Sequence, residues 1–452
     1  MLFSSITFLY FFLPIVLAVY GIASYKQDIT WKNLVLCVMS CLFYAWGEPI
    51  FLFLMLAQIV IAYGLTQLME KKRESVAGRT SFVLSVLIPF ASLFYFKYSG
   101  FSDTLPIGIS FYTFQITSYC IDVWRGRVKL QKNLLSLMAY VTLFPQLIAG
   151  PIVRYSDVER ELEERRTTRE DFAQGIVRFS IGLGKKVLVA NVLGEFVAEV
   201  MALETRGVIL SWGYAAAVSL QIYFDFSGYS DMAIGLGRMF GFHFPENFNY
   251  PFISGSITEF WRRWHITLGG WFRDYVYIPM GGNRVKPLRW FLNLLTVWFL
   301  TGLWHGAGWN FIIWGLFFGV LLILEKGIVK KTAGIISHAY VILAIIISFL
   351  IFHADNMEMA FWDIKALLPG TALTGSQLET ANFLLRNRIG ILIIAIIGST
   401  PLPAFIWKRV FGFIHNEAIE EIAKAVGVVV IVLVSTAYLI DGSFNPFLYF
   451  RF

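Results

Sequence analysis

Two histidines in this chain stand in settings that suit chemistry. His305 lies in Trp298-Phe-Leu-Thr-Gly-Leu-Trp-His305-Gly-Ala-Gly-Trp-Asn310, inside an apolar run from Phe291 to Leu324. An ionisable side chain in such a run needs a reason, because removing it from water costs free energy. Forty residues upstream, Phe260-Trp-Arg-Arg-Trp-His265 places the second among arginines and tryptophans. Apolar surroundings disfavour the imidazolium, so His305 is expected to present a neutral ring able to take a proton. Gly302, Gly306 and Gly308 are expected to leave room for a ligand beside it. The alternative is a structural ring hydrogen-bonded to Thr301 or Asn310. For His265 three roles fit: positioning a substrate, holding a loop, or assisting with charge.

Arg262, Arg263 and Arg273 carry guanidinium forks that match phosphate oxygens, so they are candidate cofactor-phosphate ligands. Anchoring at lipid headgroups, alongside Trp261, Trp264 and Trp271, fits them equally well. Asp225 and Asp231, within Gln221-Ile-Tyr-Phe-Asp-Phe-Ser-Gly-Tyr-Ser-Asp231, are expected to pair with Arg238 or another arginine, since carboxylates in apolar helices seldom stand alone. His243, His338, His353 and His415 have no companions at metal-ligand spacing, and no metal site is expected. The three cysteines, Cys37, Cys41 and Cys120, read as structural.

The elements that must position these residues follow from composition. Of 452 residues, 57% are hydrophobic and 15% charged, which describes a polytopic membrane protein rather than a soluble one. Crossing the hydrocarbon layer takes about 20 apolar residues as a helix. Roughly ten or eleven such stretches make an all-α bundle, expected as one integral-membrane domain over residues 1–452. Leu2 to Tyr20 lacks a basic leader and a cleavage site, so it reads as a first span. The net charge of +7 falls in short loops, where membrane orientation explains it better than nucleic acid does.

Basic loops mark the cytoplasmic side. Lys71-Lys72-Arg73 with Arg79, and Arg125 to Lys132, are therefore expected inside, with the N-terminus outside. Leu134 to Val153, with Pro145, Gly150 and Pro151, reads as re-entrant, which the membrane tolerates only where protein or a water-filled cavity adjoins it. Asp171 to Leu203 reads as interfacial or partly embedded, and Gly241 to Arg289 as cytoplasmic. The His305 run is too long for one upright helix, so it tilts or breaks near its glycines, leaving His305 deep. The acidic loop from His353 to Phe383 is expected outside, as is the aromatic tail Phe447-Leu-Tyr-Phe-Arg-Phe452.

Six blocks in order resemble the membrane-bound O-acyltransferase family, in its bacterial alginate O-acetyltransferase-like branch. They are Leu105-Pro-Ile-Gly-Ile-Ser-Phe-Tyr112, Gln221-Ile-Tyr-Phe-Asp-Phe-Ser-Gly-Tyr229, Pro245-Glu-Asn-Phe-Asn-Tyr-Pro251, Glu259-Phe-Trp-Arg-Arg-Trp-His265, Gly281-Gly-Asn-Arg284 and Gly302-Leu-Trp-His305-Gly306. The resemblance implies a bundle of about eleven helices, with re-entrant and interfacial helices, around a central tunnel. It implies acyl transfer from a thioester to a hydroxyl, with His305 at the catalytic position and His265 as the second histidine. Acetyl-CoA would be the donor substrate, with no permanently bound cofactor. The tail tyrosine, Tyr449, resembles one implicated as an acyl carrier, and an interfacial anchor is its alternative. The expected function is O-acetylation of an extracytoplasmic polysaccharide from the bacterial cytoplasmic membrane, through a serine hydrolase-like partner. D-alanyl transfer to teichoic acid is the enzymatic alternative. A transporter or scaffold is the non-enzymatic one.

Overall fold

The computed structural model describes residues 1–100, 105–327, 334–370 and 373–442. The tail 447–452, with Tyr449, lies outside them. Among the described residues there are helices and no strand. Eight helical stretches are long and apolar enough to cross a membrane, which makes the chain an all-α polytopic membrane protein. The described residues form two compact units, one within residues 1–180 and 229–246 and the other within residues 181–228 and 247–442.

The first unit contains α1 (Leu13–Tyr25), α2 (Ile29–Ala45), α3 (Pro49–Lys71), α4 (Val76–Tyr98), α5 (Ile109–Trp124), α6 (Leu134–Thr142), α7 (Phe144–Leu147) and α8 (Tyr155–Glu163), and most of α9 (Arg169–Gly184). The stretch expected to be re-entrant is broken in two. At nine residues α6 is roughly 14 Å long, less than half of the hydrocarbon thickness of about 30 Å. Pro145 at the start of α7 cannot continue a preceding helix, and residues 143–153 are all buried in protein.

His243, bland in the sequence, is a clasp in this unit. Its Nδ1 lies 2.7 Å from Glu161 of α8 and its Nε2 lies 3.2 Å from Asp171 of α9. Partial desolvation opposes its charge, but the hydrogen bonds and attraction of the two carboxylates outweigh that and raise the imidazole above its ordinary value. A raised native pKa gives stability that is fully present below the unfolded value of about 6.5 and is lost as pH rises through the native value. His243→Gln should therefore lower the thermal midpoint at pH 6 and leave it unchanged at pH 9. The midpoints of purified parent and variant at the two pH values check this.

The second unit begins in the last turn of α9 and continues through a π-helical turn (Lys185–Asn191) into α10 (Val192–Met201). There follow α11 (Gly207–Met239), which the second unit holds up to Gly228, then α12 (Ile257–Arg263), α13 (Ile266–Phe272), α14 (Pro287–His305), α15 (Trp309–Gly327), α16 (Ile335–His353), α17 (Met357–Lys365), α18 (Gly375–Gly398), α19 (Leu402–Ile414) and α20 (Glu417–Ile440). The apolar stretches that are not clean spans are explained by breaks and buried charge. Lys186, in the stretch expected to be interfacial or partly embedded, is 2% exposed, with its Nζ 2.6 Å from Asp225. Gly228 permits this approach, because a Cβ there would lie 2.8 Å from the Gly182 carbonyl and 3.0 Å from the Lys186 nitrogen. The expected carboxylate partner Arg238 contacts Gln174 instead. Asp225 pairs with a lysine, whereas Asp231, in the first unit, takes Arg178 at 2.8 Å.

Candidate functional site

His305 ends α14 at a break in the long apolar run, which folds as the α14–α15 hairpin rather than as one tilted helix. Each arm has 19 residues, roughly 28 Å, so a hairpin explains basic residues at both ends of the run. Its tip is tied to the end of α16 by the Asn310 amide, which donates to the Ala354 carbonyl at 2.8 Å. The Thr301 hydroxyl donates to Val297 in its own helix. The Thr301 hydroxyl proton and one N–H of the Asn310 amide are thus directed to backbone carbonyls.

The hairpin glycines serve packing, not ligand access. A Cβ on Gly302 would lie 2.4 Å from the Phe311 carbonyl, one on Gly315 2.3 Å from the Trp298 carbonyl, and one on Gly306 2.3 Å from the Phe311 ring. The two arms therefore approach backbone to backbone. Gly315→Val is expected to destabilise the protein by about 1–3 kcal/mol through overpacking, read as a lower thermal midpoint.

Around His305, 6% exposed, stand Trp304 at 4.8 Å, Trp314 at 5.0 Å and Phe352 at 5.1 Å between ring centroids. The Trp304 ring also lies 6.4 Å from His265, so both histidines neighbour one indole. Sequence spacing alone could not have placed them together.

His265 reaches this position because α12 is fixed at both ends. At its start Ser256 accepts from the Glu259 N–H, while Glu325 of α15 accepts from the Ile257 and Thr258 N–H groups at 2.5 and 3.0 Å. A carboxylate at a helix N-terminus meets both the bare donors and the positive end of the dipole. Trp261 packs between the hairpin arms, 4.6 Å from Trp298 and 4.8 Å from Phe318. Trp261 is half-buried, and Trp264 and Trp271 are buried, so these tryptophans pack on the core rather than standing free as interfacial anchors. At the far end of α12 His265 takes a left-handed conformation, with φ of 43°, a region side-chain-bearing residues adopt at a cost.

The His265 Nδ1 lies 3.0 Å from Asn247 Oδ1, and its ring packs edge-on against Phe226 at 4.7 Å. Its Nε2 is buried with no hydrogen-bond partner among the described residues. Burial pushes the imidazole down to about 3, so it is neutral at any physiological pH. Asn247 and its neighbour Thr267 belong to the site yet escaped the sequence reading. The only signal was an asparagine in the Pro245–Pro251 block, eighteen residues away and with no spacing rule to pair it.

The candidate phosphate ligands divide. Arg263 is held by Glu259 at 2.9 Å and donates to the Asn249 carbonyl at 3.1 Å, so it braces the loop beside His265. Arg273 is exposed and pairs with its neighbour Asp274, and Arg262 is exposed. A polar cleft of about 1340 Å³ in the first unit, lined in part by Lys32, Arg165 and Glu161, contains neither histidine of the site. Its buried Arg165 already bonds Tyr20, Asn33 and the Glu161 carbonyl.

Comparison with known proteins adds to this geometry. The pattern of the membrane-bound O-acyltransferase family matches residues 50–357. The chain is 38% identical to the probable alginate O-acetylase AlgI of Azotobacter vinelandii, with 100% of both chains covered. It is 30% identical to the peptidoglycan O-acetyltransferase of Helicobacter pylori, covering 100% of this chain and 98% of the relative. The teichoic acid D-alanyltransferase of Bacillus subtilis is 33% identical over 48% of this chain and 58% of the relative.

Proposed function

Since the chain belongs to the membrane-bound O-acyltransferase family and is a multi-pass O-acyltransferase, we propose that it moves acetyl groups from cytoplasmic acetyl-CoA across a bacterial cytoplasmic membrane, for O-acetylation of an extracytoplasmic polysaccharide. The observation that carries this reading is that His265 and His305 both lie against the Trp304 indole, 6.4 and 4.8 Å from it between ring centroids. The relatives similar over their whole length are named for O-acetylation, and the D-alanyltransferase matches only about half of the chain, which favours acetyl over D-alanyl transfer.

In the proposed reaction neutral His305 takes the proton of an acceptor hydroxyl as its oxygen attacks the thioester carbonyl. The tetrahedral intermediate collapses, the carbon–sulfur bond breaks, and the leaving thiolate takes the proton from His305. The products are an ester and free CoA. His265, beside the same indole, assists through its Nε2. Arg262 and Arg273 receive the phosphates of the donor, and Arg263 holds the loop between them and the histidines. Tyr449 is the proposed first acceptor, passing its acetyl group to a serine hydrolase-like partner outside the membrane.

Purified protein incubated with radiolabelled acetyl-CoA and a polysaccharide-derived hydroxyl tests the reading. CoA release should be lost in His305→Ala and kept in Trp309→Phe, whose side chain is 71% exposed at the hairpin tip. Release that survives His305→Ala would remove the catalytic assignment. For the tail, Tyr449→Phe should fold and bind acetyl-CoA yet fail to acetylate polymer in cells. Normal polymer acetylation by that variant would remove the carrier role.

A further inference from the structure

A neutral imidazole accepts a proton only through its bare nitrogen, and the partner of the other nitrogen decides which one is bare. Next to His265 that partner is identifiable. Asn247 Oδ1 lies 3.4 Å from the Thr267 backbone N–H and 2.8 Å from the Thr267 hydroxyl. A backbone N–H can only donate, so the Asn247 atom facing it is the oxygen and not the amide nitrogen. The same oxygen lies 3.0 Å from His265 Nδ1, which must then carry the proton.

The backbone holds this arrangement as well. The Asn247 carbonyl accepts from the Ile266 N–H at 3.0 Å, and the Asn249 N–H donates to the Arg263 carbonyl at 2.9 Å. Residues 247–249 are thus fastened along 263–266, and Asn247 is 0% exposed. Water does not compete for a hydrogen bond so enclosed, and the left-handed backbone of His265 is held in place by it.

We propose that Asn247 is a positioning residue for acyl transfer: it fixes His265 as the Nδ1–H tautomer and so presents the Nε2 lone pair to the reacting groups, with Thr267 setting the direction of the Asn247 amide. The proposal rests on the acyl-transfer reading above.

The first test does not depend on activity. Full-length protein carrying 15N-histidine is placed in lipid bilayers, and the His265 nitrogens are assigned in solid-state NMR spectra as the signals lost in His265→Gln. The expected spectrum has Nδ1 protonated and Nε2 unprotonated, unchanged down to about pH 5, since burial holds the ring near 3. A protonated Nε2 overturns the proposal. The second test reads kinetics. Asn247→Leu should lower kcat by about 10²-fold with KM for acetyl-CoA little changed, because tautomer control is lost while donor contacts remain. Asn247→Asp, whose carboxylate accepts the same N–H, should restore much of kcat and move its acid limb to higher pH, because a nearby negative charge favours the imidazolium. If His265→Gln impairs turnover but Asn247→Asp leaves the pH profile where it was, the positioning role is overturned and the acyl-transfer reading stands. If the tautomer is as expected but His265→Gln turns over normally, His265 has no part in acyl transfer, and the role of Asn247 falls with it.

Discussion

His305→Ala is expected to lower CoA release from acetyl-CoA by about 10²–10⁴-fold, the range a positioned general base supplies. KM for the donor should change little, because the imidazole acts on the acceptor proton and not on the CoA phosphates. The fold should survive, since Trp314 packs on Phe352 and Phe318 without the imidazole. Trp314 and Phe352 lie 5.0 Å apart, and Trp314 also packs on Phe318 at 5.5 Å. His305→Gln should be as inactive as alanine, because an amide keeps a polar group there but takes no proton near neutral pH. A scaffold or transporter would show no such dependence on one ring. Steady-state kinetics on the two variants and on Trp309→Phe check this.

The second large effect is on stability. Lys186→Met is expected to destabilise the protein by about 3–5 kcal/mol, because it removes one partner of an ion pair whose members are each 2% exposed. The charge left on Asp225 would then lack the cation 2.6 Å away. Lys186→Met combined with Asp225→Leu should recover most of the loss, since replacing both members of a buried pair by apolar residues is often neutral or stabilising. Thermal midpoints of the single and double variants in detergent decide between this and a merely superficial lysine. A single variant as stable as the parent would contradict the buried pairing.

What the sequence made legible is what depends on local chemistry. Apolar stretches of spanning length identify a helical membrane bundle, because the hydrocarbon core leaves the backbone no other partners. The anomaly of His305 in Phe291–Leu324 and the aromatic, basic setting of His265 marked both histidines, and the structure sets them on one indole. What was not legible depends on contacts distant in sequence. Gly302 and Gly306 looked like room for a ligand, but glycine equally permits a close helix pair, and only the path of α15 decides which. The pairing of Lys186 was not legible because nothing in its own segment reveals Asp225 on α11. Tryptophans at a membrane edge and tryptophans in a core share one composition, so Trp261 could not be placed until its neighbours Trp298 and Phe318 were known. Asn247 was invisible because a short amide becomes informative only when the ring beside it is identified.

The measurement that bears most directly on the central claim uses sealed proteoliposomes with one orientation of the protein. Labelled acetyl-CoA is supplied on the face that bears the Arg262–Arg273 segment, and an oligosaccharide acceptor, with the hydrolase-like partner, on the opposite face. Labelled ester is expected on the opposite face together with free CoA on the donor face, and neither product in His305→Ala vesicles. Labelled ester formed only when donor and acceptor share one face, or formed equally well by His305→Ala, would contradict that claim.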